Sequence, residues 1–150
     1  MALKDLATIG SVIQAGYEVL SGPAGPRDWD RFRTLHVERS RFSIIDSAET
    51  GVSTLRHYDI DGYIERVGPL LMEQDFYEIE VARREERYGR IAHAFSTYAS
   101  FRDPSGEPFM QGINSIQLQR FSDGWRIVSV YWDRQPIESL PEKHLVSVEA

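Results

Sequence analysis

Five polar or amphipathic side chains, Tyr17, His93, Ser115, Gln117 and Tyr131, supply hydroxyl, imidazole and amide groups. Groups of this kind hold a ligand oxygen or pass a proton. His93 and Tyr17 are the two acid–base candidates among them, and neither has a partner at a diagnostic spacing, so the residues alone name no catalytic set and leave open whether the protein is an enzyme. His93 lies inside IAHAFST, where a neutral, hydrogen-bonded core histidine is the plainer reading. Ser115 has no nucleophile-elbow context and reads as a small polar wall residue. Glu78 and Glu80 alternate onto one face of a strand; they could form a carboxylate pair, but read first as a solvated edge. The histidines His36, His57, His93 and His144 include no helical i, i+4 pair, so no metal is expected. The prolines of GPAGP cannot donate backbone hydrogen bonds to a phosphate, so no nucleotide or other cofactor is expected either.

Composition narrows the partners. The 150 residues are 41% hydrophobic and 11% aromatic, with a formal charge of −6. Arg83, Arg84, Arg87 and Arg90 are interleaved with Glu80, Glu85 and Glu86, which argues against nucleic acid. The absence of cysteine excludes disulfides, thiol nucleophiles and thiolate metal sites. MALKDLATIG has no long apolar run, so neither a signal peptide nor a membrane span is expected, and a cytoplasmic protein is the default.

The elements that must position these groups centre on Met110 to Asp133, MQGINSIQLQRFSDGWRIVSVYWD, two alternating strands joined at Ser122-Asp123-Gly124. Ile116, Leu118, Val128, Val130 and Trp132 are assigned to the outer face. Ser115, Gln117, Phe121, Trp125, Ile127 and Tyr131 are assigned to the inner face, beneath helices. Upstream, Leu6, Ile9, Ile13, Tyr17 and Leu20 predict a helix from Leu3 to Leu20. Asp28 caps a short helix bearing Trp29 and Phe32, and Asp59 caps a third bearing Ile60, Ile64, Val67 and Leu71, in which Pro69 is expected to cause a kink or break. Arg41 to Ile45 reads as a brief strand and residues 47–53 as a loop. Two long strands, Phe76 to Tyr88 and Gly89 to Phe101, precede the central hairpin. The order gives an α+β fold: three N-terminal helices on a mainly antiparallel sheet. We expect one domain over 1–150, with its core at about 3–134 and an extended tail over 135–150.

Three stretches, YEVLSGPAGPRDWDRFRTL, DFYEIEVARREERYGRIAHAFSTYASF and GINSIQLQRFSDGWRIVSVYWD, resemble the nuclear transport factor 2-like superfamily, which includes SnoaL-like cyclases, ketosteroid isomerases and scytalone dehydratases. The resemblance implies a strongly curved sheet and three helices forming a cone with a pocket, and pairs of cones packed through their sheets. It places Gln117 where ketosteroid isomerases carry an oxyanion-hole aspartic acid and Tyr17 near their first-helix tyrosine. Their catalytic aspartate falls near Ile44, with Asp46 the closest carboxylate. The expectation is a pocket for a small apolar molecule lined by Tyr17, Trp29, Tyr63, His93, Ser115, Gln117 and Tyr131, with isomerase, dehydratase or cyclase chemistry. The alternative is a non-catalytic dimeric interaction module whose cone is filled by Trp29, Phe32, Phe95 and Trp125. In either case a homodimer is expected through Ile116, Leu118, Val128, Val130 and Trp132.

Overall fold

The apolar stripe of the N-terminal segment forms helix, but in two pieces, α1 (Ala2–Asp5) and α2 (Ile9–Leu20). The break is chemical. Thr8 and Ser11 form a capping box, Thr8 Oγ1 accepting from the Ser11 amide and Ser11 Oγ from the Thr8 amide, each at 2.9 Å, so a new helix starts where a continuous one was expected. Asp28 caps α3 (Trp29–Thr34) and Asp59 caps α4 (Ile60–Glu73); α4 continues past Pro69 for a further four residues. The computed structural model describes residues 2–47, 51–135 and 140–148. Among these, no helix is long and apolar enough to cross a membrane.

Six strands form one mixed sheet: β1 (His36–Ser47), β2 (Ser53–Tyr58), β3 (Tyr77–Tyr88), β4 (Ile91–Phe101), β5 (Met110–Phe121) and β6 (Gly124–Gln135). Their order is β2-β1-β6-β5-β4-β3, antiparallel throughout except for the β1–β6 pair. The two long strands β3 and β4 and the final hairpin form where they are expected. The first strand is longer than expected because buried Ser40, Phe42 and Ile44 alternate with exposed Arg39 and Arg41, and a polar residue on the buried side hides the period.

The assignment of faces in the central hairpin is corrected by the structure. Ile116 and Leu118 are buried against the helices, with Trp125 and Ile127, while Gln117 is exposed on the opposite face. Ile116 pairs with Val130, but Leu118 pairs with Ile127, so β6 carries one extra residue at Val128. That bulge brings Trp125 and Ile127 onto the same inner side as Val130 and Trp132, which strict alternation had placed opposite. The expected dimer patch is therefore not an outer surface: Ile116, Leu118, Val130 and Trp132 face inward, and Val128 is the bulged residue. Trp125 sits in the core and its amide donates to the Leu6 carbonyl at 2.8 Å.

Two apolar clusters hold the layers together. Ile9, Val12, Ile13 and Ala15 of α2 pack on Ala92, Ala94, Ile116 and Leu118, and Phe32 of α3 packs with Val19 and Phe42. On the outer face the tail is tied down over residues 140–148. Val148 bridges to Arg84 at the free edge of β3, and Thr97 Oγ1 donates to the His144 carbonyl at 2.7 Å. Residues 136–139 and 149–150 of the expected tail, and 48–50 of the expected loop, lie outside the described residues.

Candidate functional site

A cavity of about 350 Å³ lies between the helices and the inner sheet face, at the lower end of the roughly 300–1,000 Å³ of small-molecule sites. One wall is aromatic. Phe32, Phe42 and Tyr63 form a cluster of near-parallel rings, with centroids 5.9 Å (Phe32–Phe42), 4.5 Å (Phe42–Tyr63) and 5.7 Å (Phe32–Tyr63) apart, and Trp132 meets Tyr63 edge-on at 5.9 Å. Such a wall binds flat or branched apolar groups with little preference among them. The polar groups must supply discrimination.

The most distinctive of these is Glu78 on β3. It pairs with Ser100 across the ladder, points inward and lines the cavity. Burial raises its carboxyl from 4.5 to about 7, opposed by a hydrogen bond from Asn114. Tyr17, Tyr63 and Tyr98 surround it: burial raises all three phenols, and the neighbouring Glu78 charge adds to each shift. Near neutral pH this is a carboxyl that gains or loses a proton easily, ringed by hydroxyls that keep theirs. His36 supplies a third kind of group. Its Nδ1 donates to the Phe32 carbonyl at 2.7 Å and burial lowers its pKa to about 4, so a neutral imidazole lines the cavity with Nε2 as an acceptor.

Behind Glu78 runs a buried hydrogen-bond chain. Asn114 Nδ2 donates to Tyr17 Oη at 3.0 Å, Tyr17 Oη and Ser96 Oγ are 2.6 Å apart, and Ser96 Oγ donates to Glu80 Oε2 at 2.5 Å. Since Ser96 gives its proton to Glu80, Tyr17 gives its own to Ser96, and every donor points the same way. The Arg83 guanidinium closes the chain, with Nη1 2.6 Å from Glu80 Oε1 and Nε 2.9 Å from Glu85 Oε2. The chain fixes the Asn114 amide, and Asn114 holds Glu78. Tyr17 is thus a positioning residue, its proton committed to the protein rather than offered to a ligand.

The expected site residues divide. Tyr17 and Tyr63 line the cavity, and Trp29 packs behind it on Phe32 at 5.4 Å, edge to face. His93, Ser115, Gln117 and Tyr131 belong to the outer face and do not reach it. His93 is exposed, with Nε2 3.2 Å from Glu86, and Phe95, Ser115 and Tyr131 share one outer row across β4, β5 and β6. The inverted phase of the hairpin accounts for Ser115, Gln117 and Tyr131, and His93 on β4 pairs with Gln117 and shares its outer side. Ile44 lines the cavity without a carboxylate, and Asp46 pairs with Arg56 away from it. The carboxylate comes instead from β3. Glu78 escaped the sequence reading because YEIEVARREERY presents Ile79 and Val81 outward and Glu78, Glu80, Arg83 and Glu85 inward, the reverse of the usual pattern. The alternation of the glutamates was the available signal; the side they took was not.

No family model and no curated protein sequence matches the chain. Solved structures do. One is a protein of unknown function with a cystatin-like fold from Nostoc punctiforme, at 10% identity and TM-score 0.66 over 89% of this chain and 91% of that one. Another is a proposed dehydratase of the nuclear transport factor 2-like family from Streptomyces avermitilis, at 12% identity and TM-score 0.63, covering 88% and 96% of the two chains. A third, from Thiobacillus denitrificans, is described as a proposed calcium/calmodulin-dependent protein kinase type II association domain, at 13% identity and TM-score 0.65, covering 87% and 98%.

Proposed function

On the nuclear transport factor 2-like fold that this chain adopts, we propose that the cavity takes up a small, largely apolar molecule and that Glu78 moves a proton on it. The observation that carries this reading is a carboxyl with a pKa of about 7 lining an aromatic-walled cavity. A carboxylate that costs free energy to keep ionised is a stronger base than one in water, and its acid form returns the proton at the same pH. The reaction class that fits is proton abstraction beside a carbonyl, with a cavity hydroxyl such as Tyr98 or Tyr63 donating to the oxygen as charge develops there. The likeness to a proposed dehydratase agrees with such chemistry. The filled-cone alternative is less well supported, since Phe95 is exposed on the outer face and a cavity of about 350 Å³ remains beside Phe32.

The test is hydrogen–deuterium exchange at the α-carbon of a bicyclic apolar ketone, 1-tetralone, followed by NMR in D₂O near neutrality. The protein is expected to accelerate exchange over buffer, and Glu78→Gln to remove about a hundredfold of it, the lower end of what a positioned acid–base group supplies. Exchange no faster than in buffer, or unchanged in the variant, overturns the acid–base role.

We also propose that two copies associate through the outer sheet face. Support comes from the exposed Phe95 and Tyr131 of one cross-strand row and from the likeness to a protein described as an association domain.

A further inference from the structure

The charge around the cavity does not match that of the chain. The protein carries a formal −6, yet the cavity lining holds three guanidinium groups, Arg66, Arg102 and Arg134, against one carboxylate, Glu78. All three arginines are exposed, and none forms an ion pair with a carboxylate among the described residues. Elsewhere Arg31, Arg33, Arg56, Arg83 and Arg126 each have one.

The three rest instead on apolar or backbone atoms of the lining. Arg66 of α4 lies 5.8 Å from the centre of the Tyr58 ring. Arg102, just after β4, lies 4.2 Å over Phe109 and donates once, to the Asp75 carbonyl at 3.2 Å. Arg134 of β6 reaches Met110 Sδ at 3.9 Å. Packing of this kind holds a guanidinium in place while leaving most of its N–H donors unspent. They also differ from the acid in exposure. Arg66, Arg102 and Arg134 are exposed whereas Glu78 is half-buried, so the positive groups lie on the solvent side of the cavity and the carboxyl deeper in, in keeping with a Glu78 shift to which no cation contributes.

We propose that the ligand is an amphipathic organic anion whose carboxylate is held at the cavity mouth by Arg66, Arg102 and Arg134 while its apolar body lies against Phe42, Tyr63 and Trp132. This rests on the reading of the cavity as a small-molecule site. A carboxylate matches the paired N–H geometry of a guanidinium, which neither water nor an alcohol does. Anchoring the charged end at the mouth also sets orientation: the far, apolar end is the part presented to Glu78.

The experiment compares two near-isosteric probes, 1-naphthylacetate and 2-(1-naphthyl)ethanol, by isothermal titration against the intact chain and against Arg66→Gln/Arg102→Gln/Arg134→Gln. The substituted side chains are exposed, and thermal melting of each variant checks that the fold is kept; the single Arg134→Gln and Arg66→Gln variants provide a milder series. The anion is expected to bind the native chain at least about tenfold more tightly than the alcohol, as charge-assisted hydrogen bonds require. Added salt should erode that preference, and it should vanish in the triple variant while the affinity for the alcohol stays the same. Equal binding of both probes, or a preference that survives removal of the three charges, overturns the anion assignment and leaves the apolar cavity standing. If neither probe binds the native chain, the small-molecule reading itself fails and the anion assignment goes with it.

Discussion

At the scale of single residues, Glu78 carries the proposed proton transfer, and its burial also has a consequence for stability. Its carboxyl is raised in the folded state from 4.5 to about 7, so the folded protein holds this proton more tightly than the unfolded chain does. The stability associated with the neutral acid is therefore intact below about pH 4.5 and is lost as pH rises through about 7. The groups facing it, Asn114 and the phenols of Tyr17, Tyr63 and Tyr98, do not change charge in that interval. Glu78→Gln should then stabilise the protein at pH 8 by about 1–3 kcal/mol, the full shift being discounted for water in the cavity, and change little at pH 4.5. Urea unfolding of both proteins at the two pH values checks this; equal stabilities at pH 8 would contradict the shift. His36 acts with the opposite sign. Its pKa is lowered from 6.5 to about 4 by burial, so its contribution disappears as pH falls through that range, and this acid slope should persist in the variant. Little of this was legible in the sequence, because the same glutamate on a strand is a solvated edge or a buried acid according to which side of the sheet it faces.

At the scale of elements, alternation located the strands and misassigned their faces. In the final hairpin Trp125 and Ile127 are assigned to the side they take, whereas Ile116, Leu118, Ser115 and Gln117 on the first arm and Val130, Tyr131 and Trp132 beyond Val128 are not: one inserted residue at Val128 reverses the phase, and a period of two cannot reveal an insertion when both sides of it carry apolar residues. Caps fared better. Asp28 and Asp59 start their helices where the sequence places them, since a cap depends on a local contact with an amide three residues on. Gly112 on β5 belongs to this scale too. A Cβ there would lie 2.6 Å from Tyr98 Oη and 2.5 Å from the Asp133 carbonyl oxygen, so the missing side chain is what lets the Tyr98 phenol lie across β5. Gly112→Ala should cost about 1–3 kcal/mol and displace Tyr98, one of the hydroxyls around Glu78. Thermal unfolding together with ¹H–¹³C aromatic spectra checks both effects, and a variant as stable as the native chain with an unshifted Tyr98 signal would show that the site has slack.

At the scale of the whole molecule, the architecture was the most legible part, because the change from a helical to an alternating period near Phe76 and the paired turns at Gly89 and Gly124 constrain the chain to helices on a meander. What that order could not show was which face of the sheet the helices cover, and both the cavity residues and the association surface depend on it. The outer face now offers Phe95 and Tyr131 in place of the inward-facing, partly buried Val130 and Trp132. Phe95→Glu combined with Tyr131→Glu should convert a dimer to a monomer in sedimentation equilibrium, by placing unpaired charges in the contact; a native chain that is monomeric at high concentration, or a variant that remains dimeric, removes that surface. The central claim is narrower than either fold or assembly: an acid poised near neutrality inside the cavity. Its most direct measurement is the side-chain ¹³C carboxyl shift of Glu78 as a function of pH, assigned by comparison with Glu78→Gln. The account predicts a midpoint at about 7; a midpoint near 4.5, the value of an unperturbed glutamate in water, would contradict it.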